Sequence, residues 1–134
     1  MQIDGQCHCG RVTYEAEIEP DEVGLCHCTD CQRLTGSAFR VTASTPASRF
    51  RLTGNSPKRY EKRADNGALR LQFFCGDCGS PIYTTGEGPD ADMIGIRWGS
   101  INQRNDLKPA SQFWCRSAVG WLGEISHLPG HDGD

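Results

Sequence analysis

Seven of the eight cysteines fall into three short clusters: Cys7-His8-Cys9-Gly10, Cys26-His27-Cys28-Thr29-Asp30-Cys31 and Cys75-Gly76-Asp77-Cys78-Gly79. On extended backbone, a C-x-C pair projects both thiols to one face, because the strand period is two. The intervening His8 and His27 then point the other way. A C-x-x-C pair closes through a tight turn, which Gly76 and Gly79 suit. Clustered thiolates of this kind are zinc ligands, and the count divides as four plus three. Structural zinc takes four protein ligands, whereas catalytic zinc keeps a position open. Cys7, Cys9, Cys75 and Cys78 are therefore expected to close a structural site, pinning segments far apart in sequence. Zinc supplies about 10–16 kcal/mol in finger peptides. Cys26, Cys28 and Cys31 are expected to hold a second ion, making two per chain. Three rival readings use the same thiols. One is an iron–sulfur centre, although the spacings match none of the common ferredoxin runs. Another is disulfide bonding. In the third, both zincs are structural, with Cys115 or a histidine completing the second.

A site with three thiolates invites a fourth. A free thiol with a pKa near 8.5 is only a few per cent ionised at neutral pH, and coordination to zinc deprotonates it. Three thiolates on a divalent ion sum to a charge of about −1, which favours activating a thiol over activating water. Downstream, Arg33 could pair with a substrate carboxylate, or stand as a solvated helix arginine. Thr35-Gly36-Ser37 could present hydroxyls and a close backbone to substrate, or end a helix. His27 reads as a proton carrier beside the metal, or as a surface residue. Cys115 reads as a small buried residue. Trp98, Trp114 and Trp121 read as core or pocket wall.

The elements that position these residues read as mainly β. Val12, Tyr14, Ala16 and Ile18 alternate with polar neighbours, the signature of a half-buried strand. Phe39-Val41-Ala43, Phe50-Leu52, Leu69-Leu71-Phe73, Met93 to Trp98 and Phe113 to Ser117 are further strands. Turns fall at Pro20-Asp21, Gly54-Asn55, Asn66-Gly67 and Gly86 to Pro89. One short helix is expected over Thr29 to Leu34, capped by Thr29 or Asp30. Residues 1–134 form one zinc-binding domain, with a frayed tail from about 128 to 134 that includes His131.

Only 24 of the 134 residues are Leu, Ile, Val or Phe, a thin supply for an apolar core, so a metal is expected to reinforce the fold. The first residues carry neither a basic nor an apolar signal region, and no run is long enough to span a membrane. A cytoplasmic location follows, where thiols stay reduced. A net charge of −3 and the lack of a long basic segment argue against nucleic-acid binding.

Three stretches together resemble the glutathione-dependent formaldehyde-activating enzyme family, which includes centromere protein V: Gly5 to Tyr14, Cys26 to Ser37 and Phe74 to Ser80. The resemblance implies a β-tent fold of antiparallel sheets braced by zinc. It implies the same four-plus-three division of cysteines and places glutathione and carbon–sulfur bond chemistry at the second site. The implied activity is that of a carbon–sulfur lyase acting on a glutathione–aldehyde adduct such as S-(hydroxymethyl)glutathione. The alternative is a non-catalytic zinc module that carries glutathione or binds a protein. Two segments depart from the family pattern. Gly99-Ser100-Ile101-Asn102 stands for a Gly-Thr-Leu-Asp-like run, and Gln112 takes the place of a histidine within Pro109 to Trp114.

Overall fold

A computed structural model describes Met1–Asp134. Ten strands and one α-helix run in the order β1 (Gln2–Gln6), β2 (Thr13–Glu17), β3 (Val23–Cys26), α1 (Thr29–Thr35), β4 (Arg40–Pro46), β5 (Phe50–Leu52), β6 (Lys58–Arg63), β7 (Leu69–Phe74), β8 (Pro81–Thr85), β9 (Met93–Arg97) and β10 (Ser111–Phe113). Short 3-10 turns join several of them. A three-stranded antiparallel sheet has the order β1-β2-β5. The larger, seven-stranded sheet runs β10-β3-β4-β9-β8-β7-β6. It is antiparallel except at one edge, where β10 lies parallel to β3. No helix is long and apolar enough to cross a membrane.

The alternation in β2 does what its sequence requires. Val12, Tyr14, Ala16 and Ile18 are all buried and meet Ile3 of β1, Val23, Ala43, Ile82, Ile94 and Ile96 from the larger sheet. Only 25 of the 134 residues are buried, so contacts between large side chains matter more than usual. Four rings bridge the sheets. Tyr14 lies 5.3 Å from Phe50, Phe50 lies 4.8 Å from Tyr83, and Tyr83 stacks on Phe73 at 4.3 Å. These separations fall within the range where aromatic pairs add to simple burial. The Tyr14 hydroxyl pairs with Ser100 Oγ at 2.8 Å, which meets the polar end of an otherwise buried ring.

Several local expectations are revised. The late strand ends at Phe113 rather than reaching Ser117. Trp114 takes a left-handed backbone (φ 57°) and a 3-10 turn follows over Cys115–Ser117. The helix is capped by Cys28, whose Sγ accepts the Cys31 amide at 3.2 Å, not by Thr29 or Asp30. The first C-x-C pair sits in the turn between β1 and β2, where the Gly10 amide donates to Cys7 O at 3.1 Å, rather than on extended chain. Trp114 and Trp121 are exposed, and so is Cys115. Neither tryptophan supports the core.

Replacing Tyr14 by alanine removes both the first ring of the bridge and a buried hydroxyl pair. Urea denaturation is expected to show a loss of about 3–5 kcal/mol. Tyr60→Ala, at an exposed position on the edge strand β6, is expected to stay within about 0.5 kcal/mol of the parent.

Candidate functional site

The sulfurs of Cys7, Cys9, Cys75 and Cys78 converge, all within 4.8 Å of one another. Cys7 and Cys9 are 3.5 Å apart, and Cys9 lies 3.7 Å from Cys75. Two tight turns hold them. In the first, the Val12 amide donates to Cys7 Sγ at 3.3 Å. In the second, the Gly79 amide donates to Cys75 O and the Cys75 amide to Ser80 O, each at 2.9 Å. Gly79 closes that turn with φ +80°, a conformation that side-chain-bearing residues rarely adopt. Ser80 Oγ ties the turns together, accepting the His8 amide at 3.0 Å and pairing with Cys78 Sγ at 3.3 Å.

Cys26, Cys28 and Cys31 form a second group within the same 4.8 Å limit. Cys26 ends β3, Cys28 caps α1, and Cys31 lies in the first turn of the helix. No fourth cysteine, histidine or carboxylate joins them. Cys115 is exposed, its Sγ 3.9 Å from Gln112 O. His27 is buried, with Nε2 2.9 Å from Gln112 Oε1. If the amide is oriented this way, Nε2 carries the proton and Nδ1 is a bare acceptor. Nδ1 is buried and has no protein partner. Gln112 reaches His27 because parallel pairing sets β10 beside β3, with Phe113 opposite Cys26.

The thiols in each group are electrostatically unequal. The Cys78 thiol is pulled down to about 5, first by the Ser80 hydroxyl and then by the Ser80 and Cys9 amides. Cys9 is pushed up to about 12. The Arg11 amide works against this rise, but burial and the neighbouring thiols prevail. Burial, then Cys28 and Cys26, push Cys31 up to about 12. Crowded like charges behave this way, and a divalent cation is the group that relieves them. Sulfur donors in sets of four and three suit zinc.

A cleft of about 620 Å³ has Cys7 of the first group in its wall and no cysteine of the second, which it neighbours through Thr35 and through Arg40, the ladder partner of Cys26. Its walls include Cys7 and His8 from the first turn, Thr35 at the end of α1, Phe39 after it, and Gly99, Ser100 and Asn102. The segment Gly99 to Asn102, which departs from the family pattern, thus borders the cleft. Of the four substrate candidates, Thr35 lines it, with Oγ1 donating to Cys31 O at 2.7 Å. Arg33 is exposed on α1. Gly36 ends the helix in a left-handed conformation (φ +63°), and Ser37 follows it with its amide on Thr35 Oγ1. The cleft also contains Arg40, Arg97 and Arg104, and no carboxylate. These arginines were not singled out by sequence. The available signal was a cation inside an apolar run, in Phe39-Arg40-Val41 and Ile96-Arg97-Trp98.

Comparison with known proteins bears on the family and the fold. The family model described as glutathione-dependent formaldehyde-activating enzyme matches residues 2–117. An uncharacterized lyase of Schizosaccharomyces pombe is 25% identical over 91 residues, 66% of this chain and 63% of that protein. This chain therefore spans less than two thirds of that relative's length. A Rhodobacter sphaeroides protein of known crystal structure shares the fold, with a TM-score of 0.63 at 19% identity over 82% of this chain and 99% of that one.

The two cysteine groups are expected to respond unequally to substitution. Cys75→Ser loosens a cluster joining residues near 7 to residues near 78, whereas Cys28→Ser alters a local loop with little closure entropy at stake. Thermal melts paired with metal counts should show the larger fall in Tm for Cys75→Ser. Equal falls would contradict the division of roles.

Proposed function

The chain belongs to the glutathione-dependent formaldehyde-activating enzyme family, and from that premise we propose that it makes or cleaves the carbon–sulfur bond between a thiol, glutathione first, and an aldehyde. The observation that carries this reading is the three-cysteine group with no fourth protein donor, which neighbours a cleft of about 620 Å³ through Thr35 and through Arg40, the ladder partner of Cys26. Cys7, Cys9, Cys75 and Cys78 would hold a structural zinc in a single β-tent domain, and Cys26, Cys28 and Cys31 a second zinc. Bound there, zinc supplies a position that keeps a fourth thiol ionised. We place the protein in the cytoplasm, where such thiols remain reduced.

The residues of the chain do the rest. The Cys28 cap fixes Cys31 against the start of α1, so two donors hold their separation without help from substrate. Gln32 Nε2 donates to His27 O at 2.9 Å and to Ser117 O at 3.1 Å, securing the loop that carries Cys26 and Cys28. Gln112 holds the His27 ring in one orientation. Phe39 and Trp98 give the cleft apolar walls, which lower the local dielectric around a reacting pair. In the forward direction the sulfur electron pair forms the new bond to the carbonyl carbon. The π pair of the carbonyl moves to oxygen, which takes up a proton to give the hemithioacetal. Reversal breaks the same bond and returns thiol and aldehyde.

Cobalt substitution tests the reading. Added glutathione is expected to change the cobalt–thiolate spectrum, and Cys31→Ala to abolish or alter that change. The same protein should accelerate adduct formation or breakdown with formaldehyde or a larger aldehyde above the uncatalysed rate. Binding without acceleration would favour a glutathione carrier. No spectral response to any thiol would overturn both.

A further inference from the structure

Arg40 and Arg97 are paired like charges in the wall of the cleft. Gln72 Oε1 accepts from both, from Arg40 Nη1 at 3.2 Å and from Arg97 Nη2 at 2.6 Å. Arg97 Nη1 also donates to Thr42 Oγ1 at 2.9 Å. Arg40 is 5% exposed, and its buried Nε donates to no protein group. None of the five ion pairs in the molecule involves either residue. The two side chains line both the main cleft and a second hollow of about 270 Å³ bordered by Tyr60, Phe73 and Phe74. Burial, then the nearby Arg40, pull Arg97 down to about 9. Burial likewise lowers Arg40. Guanidiniums are rarely buried without a counter-charge, and a neutral amide does not supply one.

The nearby thiols account for part of this charge. Arg40 senses Cys31, Cys28 and Cys26, and Arg97 senses Cys31 and Cys26. Three thiolates with a divalent ion carry about −1, whereas two guanidiniums carry +2. Before a fourth thiolate binds, one positive charge remains uncompensated, and the cleft contains no carboxylate to meet it. Arg104 adds a further cation to the same lining. In a chain of net charge −3, this concentration of arginine is local and selective.

We propose that Arg40 and Arg97, bridged by Gln72, form a carboxylate-binding subsite that orients an anionic substrate beside the three-cysteine group. A guanidinium fork matches the two oxygens of a carboxylate, and two forks around one amide leave donors free on both. The inference rests on the thiol–aldehyde reading for what else occupies the cleft. The carboxylate has two possible sources: the thiol substrate itself, since glutathione carries two, or a carbonyl partner that is an oxo acid.

Calorimetric titration of the zinc-loaded protein tests the subsite without any turnover. S-methylglutathione has no free thiol, so its binding is independent of thiol activation. It is expected to bind about tenfold or more tightly than its dimethyl ester, the size of one charge-assisted pair. Arg40→Gln and Arg97→Gln should each remove most of that difference while zinc content stays unchanged. Competition by glyoxylate shows that an oxo acid reaches the same subsite as the thiol's carboxylate, and glyoxylate binding without an acid-over-ester preference assigns the subsite to the carbonyl partner. An acid-over-ester preference that persists in excess glyoxylate assigns it to the thiol. Each of these results upholds a carboxylate site. Equal affinity of the wild-type protein for acid and ester, together with no binding of glyoxylate, would overturn it, even if either variant failed to fold. So would loss of zinc from the variants with the acid preference intact, which would leave the arginines as charge balance for the thiolates. Full-rate catalysis of esterified glutathione with an aldehyde that lacks a carboxylate would refute the subsite and leave the proposed reaction standing.

Discussion

Sulfur crowding is the constraint around which the rest of this molecule is arranged. Seven thiols are drawn into two groups, each with its sulfurs within 4.8 Å of one another. They cannot all ionise there unless positive charge lies close by. The first group joins the turn between β1 and β2 to the turn between β7 and β8, fastening the small sheet to the far half of the large one. The second group is local, and its order comes from backbone bonds: the Cys31 amide on Cys28 Sγ, Gln32 on the His27 carbonyl and the His27 amide on Phe113 O. One group therefore constrains the fold, while the other is constrained by it.

Between the two groups, the apolar core is too thin to set the spacing alone. Tyr14, Phe50, Tyr83 and Phe73 link the small sheet to the large one with ring contacts. Tyr14 then passes the constraint to Ser100, whose hydroxyl donates to Arg97 O at 2.8 Å. A residue in the centre of the small sheet thus fixes the backbone at which Arg97 leaves β9. The cleft is shaped from behind by packing and from the front by the turns that carry the cysteines.

Much of this was legible in sequence, for physical reasons that differ by element. The cysteine groups were legible because ligand spacing is a local property. The alternation of β2 was legible because one face is buried along its whole length. Strand β6, Lys-Arg-Tyr-Glu-Lys-Arg, has no apolar face and exists as the edge partner of β7, with charges that discourage further pairing. Strand β8 lies centrally, and Ile82 to Thr85 are all buried, so its sequence shows no alternation. The cap at Cys28 was missed because the same sulfur was already assigned to a ligand set, and thiols are not usual caps. Trp114 gave no warning of its positive φ.

The arginine pair was the least legible feature, because its meaning depends on what is missing around it. Arg40 and Arg97 lie on β4 and β9, strands adjacent in the sheet but more than 50 residues apart in sequence, and Gln72 comes from β7. Overall acidity pointed away from nucleic acid as a partner. Net charge, however, governs long-range encounter, and it is screened over about 8–10 Å in physiological salt. Inside the cleft, low-dielectric walls make the local balance decisive. The exposed acidic residues elsewhere engage exposed cations such as Arg11, Arg49, Arg51 and Arg59. Buried Arg40 and half-buried Arg97 are kept from such pairing by their place in the central strands, so their charge remains directed at whatever enters the cleft.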